Sequence, residues 1–219
     1  MSPSKARLIR FALFAAVYFA QGAMMTYLSA FNTLYMRSFN LSFALIGIVA
    51  GIAMLPFILK VFIGLLSDRV SLFAQGHRKP YIILGLVIQT VCFLLLPLFR
   101  PDTQTTMYIV VMFCLCLGMS TYDTTTDGLS IDTTTPSDRG LVQGLMVGGR
   151  ALAMVVTGFL MGVFSGQGNW NYIFFMSAIL GLVALIIAFL VEEKTERAPE
   201  AQFSGAAFAA FKNPALLLF

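Results

Sequence analysis

Six long apolar stretches run along the chain, separated by short polar segments. A bilayer-crossing helix needs about 20 mainly apolar residues. The first stretch, 11–36, is uncharged and long enough. It follows a basic start (Lys5, Arg7, Arg10), but it exceeds the roughly 7–15 apolar residues of a signal peptide and lacks a small-residue cleavage site. The second runs over 38–66, with Pro56 expected to free the carbonyl of Ile52 and kink the helix. The third covers 80–99, with Pro80 in its first turn, and the fourth covers 107–131. Thr135-Pro136 reads as the cap and first turn of a fifth helix reaching about 164, and a sixth follows over 172–191. Trp170, Tyr172, Tyr108 and Tyr81 fall near helix ends, where interfacial aromatic belts sit. The pattern predicts an all-α membrane protein with six transmembrane helices: residues 1–10 an N-terminal tail, 11–191 the bundle, and 192–219 a charged segment and a further apolar start.

Composition narrows the class. Hydrophobic residues make up 58% of the 219 and charged residues 11%, against about a quarter charged in soluble domains. Cys92, Cys114 and Cys116 lie in apolar runs with neither disulfide nor zinc spacing, and the single histidine, His77, cannot build a metal site alone. No metal and no cofactor are expected. The net charge of +4 is spread over several loops, which points to membrane orientation and away from nucleic acid. With the N-terminus inside, ten basic residues fall on the cytoplasmic side and two outside, leaving Lys60 and Arg150 within the membrane. The expected topology is N-in, C-in.

The charges inside that pattern carry the chemistry. Residues 120–150 hold four acids and two arginines in otherwise apolar surroundings. A rise of 1.5 Å per residue puts Gln21 and Arg150 roughly 16 Å below the inner surface, Asp123 about 13 Å, Lys60 about 12 Å and Asp127 about 7 Å. Four helices thus bring polar groups close to the midplane. Asp123 and Asp127 are four apart and share a face. Paired, buried carboxylates resist ionisation, and a nearby Lys60 or Arg150 opposes that, so the set can bind and release a proton. The alternative is that Lys60 and Arg150 simply form helix-gluing ion pairs with Asp123, although two buried pairs cost more than apolar packing. Thr121, Thr124, Thr125 and Thr126 are expected to bond back to their own helix, with one or two facing a cavity. Gly140, Gly144, Gly148, Gly158, Gly162 and Gly166 have a spacing that predicts close helix packing.

Gly64-Leu-Leu-Ser-Asp68-Arg69, followed after a longer spacer (70–75) by Gly76-His-Arg78-Lys79, resembles the G-x-x-x-D-R-x-G-R-R signature of the major facilitator superfamily. Asp132 and Arg139-Gly140, with Pro136 between, resemble that family's acid-to-Arg-Gly element. Lys60, the Asp123/Asp127/Asp132 spacing and Gly149-Arg150 are similar to AmpG-type muropeptide permeases and to related acetyl-CoA and siderophore importers. The resemblance covers about 11–191. It implies the N-terminal six-helix half of a twelve-helix fold, with halves related by an axis along the membrane normal. It also implies that Gly64, Asp68, Arg69, Arg78, Lys79, Asp132, Arg139 and Gly140 form a gating rim on the cytoplasmic side.

The function these features predict is secondary active transport of a polar or anionic small solute by alternating access, coupled to protons. Gln21 and Arg150 would contact solute, Asp123 would carry the proton with Asp127 second, and Lys60 would partner one of them. The leaning is toward symport, in a bacterial plasma membrane. Two other readings fit parts of the same pattern. A non-transporting sensor or assembly protein can use the same scaffold. An intramembrane enzyme could hold Mg²⁺ and diphosphate on Asp-x-x-x-Asp, but no second acidic cluster occurs within a helix, and the Gly-x-Gly-Asp of aspartyl proteases is absent. No enzyme is expected. Phenylalanines at 203, 208 and 211 fit a surface helix, and 214–219 reads as the truncated start of a seventh span. The expected partner is a C-terminal six-helix half, or a second copy if the chain were complete.

Overall fold

The helices follow the apolar stretches. A computed structural model describes residues 3–70, 72 and 76–193, and the expected surface helix at 203–211 and the seventh span lie outside them. The regular elements among the described residues are all helices, with no strand. In chain order they form α1 (Pro3–Thr26), a π-turn (Tyr27–Phe31), α2 (Asn32–Ser38), α3 (Phe43–Ile58), α4 (Lys60–Arg69), α5 (Lys79–Leu95), α6 (Thr105–Thr133), α7 (Arg139–Gly166) and α8 (Trp170–Leu190). Taking α1–α2 and α3–α4 as single interrupted rods, six helices are long and apolar enough to cross a membrane.

Both interruptions have local causes. In the first rod the Asn32 N–H bonds to the Tyr27 carbonyl, five residues back. A straight α-helix would turn residues five apart to different faces; the wider π-turn brings Tyr27 and Asn32 to the same side. There the Tyr108 hydroxyl donates to Asn32 Oδ1 at 2.6 Å and lies 3.0 Å from the Tyr27 hydroxyl. All three side chains are buried, so this triad satisfies polar groups that would otherwise be orphaned. In the second rod the helix survives Ile52 and breaks at Leu59, three residues after Pro56, where the Leu59 N–H bonds to the Pro56 carbonyl at 3.0 Å.

α1 packs on α7 and α8, α5 lies against α6 and α8, and α3 with α4 runs along α6. The closest approaches use glycines the spacing did not single out. A Cβ on Gly22 of α1 would lie 2.4 Å from the Arg150 carbonyl oxygen of α7, and one on Gly85 of α5 would lie 2.5 Å from the Gly118 carbonyl oxygen of α6. The expected packing stripe on α7 is corrected: Cβ atoms at Gly140, Gly144, Gly148, Gly162 and Gly166 would meet nothing within 4 Å, and Gly158 alone approaches a neighbour, Thr26. The physical reason is register. The face of α7 that meets α1 carries Val142, Met146, Gly149 and Ala153, and the stripe points away from it.

Two further expectations change. α7 begins at Arg139, not at Thr135-Pro136; Pro136, Ser137 and Asp138 form a turn in which the Asp138 N–H bonds to the Thr135 carbonyl. The Thr135 hydroxyl faces Ser137 at 3.0 Å and caps nothing. Of the end aromatics, Tyr172 is exposed and Trp170 half-buried, whereas Tyr81 and Tyr108 are buried, the Tyr81 hydroxyl donating to the Val70 carbonyl just past α4 and the Tyr108 hydroxyl to Asn32. In the loop between α5 and α6, Arg100 forks onto Asp102 and holds its carboxyl below the usual range.

Gly22→Ala and Gly85→Ala are each expected to cost about 1–3 kcal/mol, because the added methyl meets a backbone carbonyl that cannot rotate away. Thermal unfolding of the purified protein in detergent checks this. Unchanged midpoints would contradict the close-approach geometry.

Candidate functional site

The charged residues within the membrane gather at the junction of α1, α4, α6 and α7. Tyr18 and Gln21 are three apart on α1, and Asp123 and Asp127 are four apart on α6, so each pair shares a helix face. Lys60 is the first residue of α4, just past the break at Leu59. Arg150 is brought beside α1 by the close contacts at Gly22 and Gly149.

Two linked groups result. In the first, Gln21 Nε2 donates to Asp123 Oδ1 at 2.5 Å and Lys60 Nζ pairs with Asp123 Oδ2. Asp123 is 5% exposed, so its charge needs both partners. Lys60 keeps 35% of its side chain exposed and sits over the Phe57 ring at 5.4 Å. In the second group, the Tyr18 hydroxyl donates to Asp127 Oδ1, and the Arg150 guanidinium lies over the Tyr18 ring at 5.6 Å. Asp127 is exposed and Arg150 half-buried. Among the described residues Arg150 forms no ion pair. A cation lying over an aromatic face and lacking a carboxylate is a receptive site for an anion.

These placements refine the expectations residue by residue. Asp123 and Lys60 are paired, while Arg150 pairs with neither aspartate. Gln21, expected beside Arg150 as a solute contact, is 2% exposed and bonded to Asp123. Its Oε1 is buried without a partner among the described residues. Thr121, Thr124 and Thr125 bond back to carbonyls four residues earlier, whereas Thr126 Oγ1 has no such bond. Tyr18 was missed. Its signal was a polar-tipped ring one turn before Gln21, on the face that meets α6.

The rim is organised by Arg78. Its Nη2 pairs with Asp68 at 2.9 Å and its Nε with Asp132 at 2.6 Å. Gly128 makes room, since a Cβ there would lie 1.9 Å from the Arg78 guanidinium. Glu193, just past α8, accepts from the backbone N–H groups of Arg78 and Lys79 at 2.7–3.1 Å, and Lys79 Nζ reaches the Phe189 carbonyl at 3.1 Å. Arg7 pairs with Asp138. Gly64 faces Thr124, and Arg69 ends α4. Asp132 thus belongs to Arg78. Arg139 is exposed with no ion pair among the described residues, and a Cβ on Gly140 would meet nothing within 4 Å. Glu193 and Gly128 gave no sequence signal of their own, because their roles exist only against Arg78.

This rim and the six-helix bundle agree with an independent finding: residues 13–219 match the Major Facilitator Superfamily. The chain belongs to that superfamily. It is 28% identical over 149 residues to a protein named as a transporter, AmpG 4 of Rickettsia conorii, covering 65% of this chain and 36% of that one. It is 26% identical over 196 residues to a folate-biopterin transporter of Synechocystis, covering 85% of this chain and 39% of the other. The chain therefore spans less than two-fifths of the length of these superfamily relatives. As a superfamily member with six apolar spans, it is an integral, multi-pass membrane protein.

Two predictions follow from the geometry. Lys60→Met alone should destabilise by about 2 kcal/mol, less than the about 3–5 of a fully buried pair because Lys60 is partly exposed, and Asp123→Asn in the same chain should recover most of the loss. A double-mutant cycle by thermal unfolding measures this, and additive effects would contradict the pair. Gly128→Val should push the Arg78 guanidinium off Asp132 and reproduce Arg78→Gln in proteolytic susceptibility of the 68–79 segment; wild-type susceptibility would contradict the latch.

Proposed function

We propose that the protein is a secondary transporter that moves a polar or anionic small solute by alternating access, with protons as the coupling ion. The observation that carries this reading is the Arg150 guanidinium, without a carboxylate of its own, beside a neutralised Asp123–Lys60 pair. A purely structural charge set would be mutually compensated. Here Arg150 forms no ion pair among the described residues and can turn to a solute, while Asp123 can exchange Lys60 for a proton.

The coupling follows from competition for Asp123. While ionised it holds Lys60 and Gln21. Protonation removes its attraction for Lys60 and weakens the tie between α4 and α6, so α3–α4 can move against α6. The Arg78 latch is the inner-end counterpart: holding Asp68 and Asp132 keeps that end together, and release opens it. A second six-helix unit, from the same polypeptide or a second copy, would complete the cavity around Arg150, Asp127 and Tyr18. The excess of basic residues in the predicted inner loops supports N-in, C-in insertion, and a bacterial plasma membrane is the setting the AmpG likeness favours. A Mg²⁺-dependent enzyme is disfavoured because both Asp123 oxygens are taken, by Gln21 and Lys60, and one Asp127 oxygen by Tyr18.

Asp123→Asn in the full-length protein should abolish pH-dependent uptake and the accompanying proton influx. The measurement is solute-evoked alkalinisation of a weakly buffered cell suspension over a panel of small organic anions. Wild-type uptake with an unchanged pH profile would overturn the assignment of Asp123.

A further inference from the structure

Gln21 uses only half of its amide. Its Nε2 donates to Asp123 Oδ1 at 2.5 Å, while its Oε1 is buried with no partner among the described residues. The residue is 2% exposed, so this acceptor is shut away from bulk water, a costly state for a carbonyl oxygen. The donors around it are committed elsewhere. The Tyr18 hydroxyl donates to Asp127, the Tyr122 hydroxyl donates to Gln89 Oε1 at 2.7 Å, and Lys60 pairs with Asp123 Oδ2. The hydroxyls of Thr121, Thr124 and Thr125 return to their own helix, and those of Ser120 and Thr126 reach neither Gln21 nor any other group among the described residues. The remaining candidate is Asp123 itself, which becomes a donor once it is protonated.

An amide and a carboxylic acid are both planar and pair through two bonds, N–H to the acid carbonyl and O–H to the amide oxygen. Gln21 Nε2 already holds Oδ1, and Lys60 holds Oδ2. A proton on Oδ2 displaces Lys60 and supplies the donor that Gln21 Oε1 lacks. We infer that Gln21 is a positioning residue that reads the protonation state of Asp123: the ionised acid is shared between Gln21 and Lys60, and the protonated acid is held by Gln21 through both oxygens. The proton comes from solvent, forms the Oδ2–H bond and returns to solvent on release, while Lys60 stays an ammonium. Lys60 is not stranded when it leaves, because 35% of its side chain is exposed and the Phe57 ring lies 5.4 Å from its nitrogen. The other titratable groups near Asp123 are Tyr18 of α1 and Tyr122 and Asp127 of α6, with Arg150 of α7 over the Tyr18 ring. The exchange moves a helix seam. On protonation α6 gives up its tie to α4 and gains a second tie to α1, so α1 and α6 stay together as α4 is freed. The inference rests on the reading of Asp123 as the proton carrier and adds what holds the acid once the proton is on it.

Infrared difference spectroscopy of the full-length protein in nanodiscs, between high and low pH, reads this bond directly. A protonated carboxyl has its own C=O stretch, whose frequency falls as the group becomes hydrogen-bonded. The Asp123 band is identified by its loss in Asp123→Asn. It is expected to move to higher frequency in Gln21→Met, which keeps the length of the side chain and removes both amide partners. It is expected to keep its wild-type frequency in Lys60→Met, because Lys60 takes no part in the protonated pair. A band that Gln21→Met leaves in place overturns the inference while Asp123 remains the proton carrier. A band that moves with Lys60→Met means that Lys60 keeps its oxygen, which overturns the exchange. Absence of any band lost in Asp123→Asn overturns the proton-carrier reading and this inference together. The Lys60→Met comparison leaves Gln21 intact, so the test holds even where Gln21→Met does not fold.

Discussion

An ionised carboxylate well inside a bilayer must be answered by the protein, because the lipid supplies neither charge nor hydrogen bonds. Asp123 imposes that requirement here, and the surrounding helices are placed to meet it. Gln21 comes from α1 and Lys60 from α4, both onto one carboxylate of α6. The break at Leu59 matters for this reason: it begins a new helix at Lys60, next to the acid it must reach. The α1–α7 approach through Gly22 then brings Arg150 within range of Tyr18. One buried charge thereby links the packing of four helices to the chemistry available between them.

The two ends of the bundle are tied by different means. At the end that carries the connection from α4 to α5, Arg78 joins α4 to α6 through Asp68 and Asp132, while Glu193 brings the end of α8 onto its backbone. These are charge-assisted bonds at the edge of the membrane, where water can compete and where protonation or a shift of one helix can break them. At the other end Tyr27, Tyr108 and Asn32 are bonded to one another in full burial, packed round by Phe93 and Phe174. A neutral network of that kind has no competing solvent and no charge to lose. The Arg78 end is therefore the more easily opened of the two within the described six-helix unit.

Much of the fold was legible in the chain. Span number and approximate limits follow from apolar length, since a bilayer tolerates only backbone that satisfies itself. The placement of Gln21, Lys60, Asp123 and Arg150 within long apolar helices followed from counting residues, and the motif from Gly64 to Lys79 pointed to the family. Tyr18, Glu193 and Gly128 were not legible. Each acts on a residue about 50 or more positions away in sequence, so spacing within one helix does not reveal its partner. The α7 glycine stripe misled because small-residue spacing signals that a helix can approach another, not that one lies there.

The sequence by itself determined that this is a multi-pass membrane protein and that Lys60, Asp123 and Arg150 lie within its long apolar helices, because insertion depends on local hydrophobicity and helical rise. The tertiary structure alone decided partnership: Lys60 rather than Arg150 on Asp123, Arg78 on both Asp68 and Asp132, and Arg139 and Arg150 without an ion pair among the described residues. Pairing depends on the rotation and tilt of each helix, and those are settled by packing between helices distant in sequence.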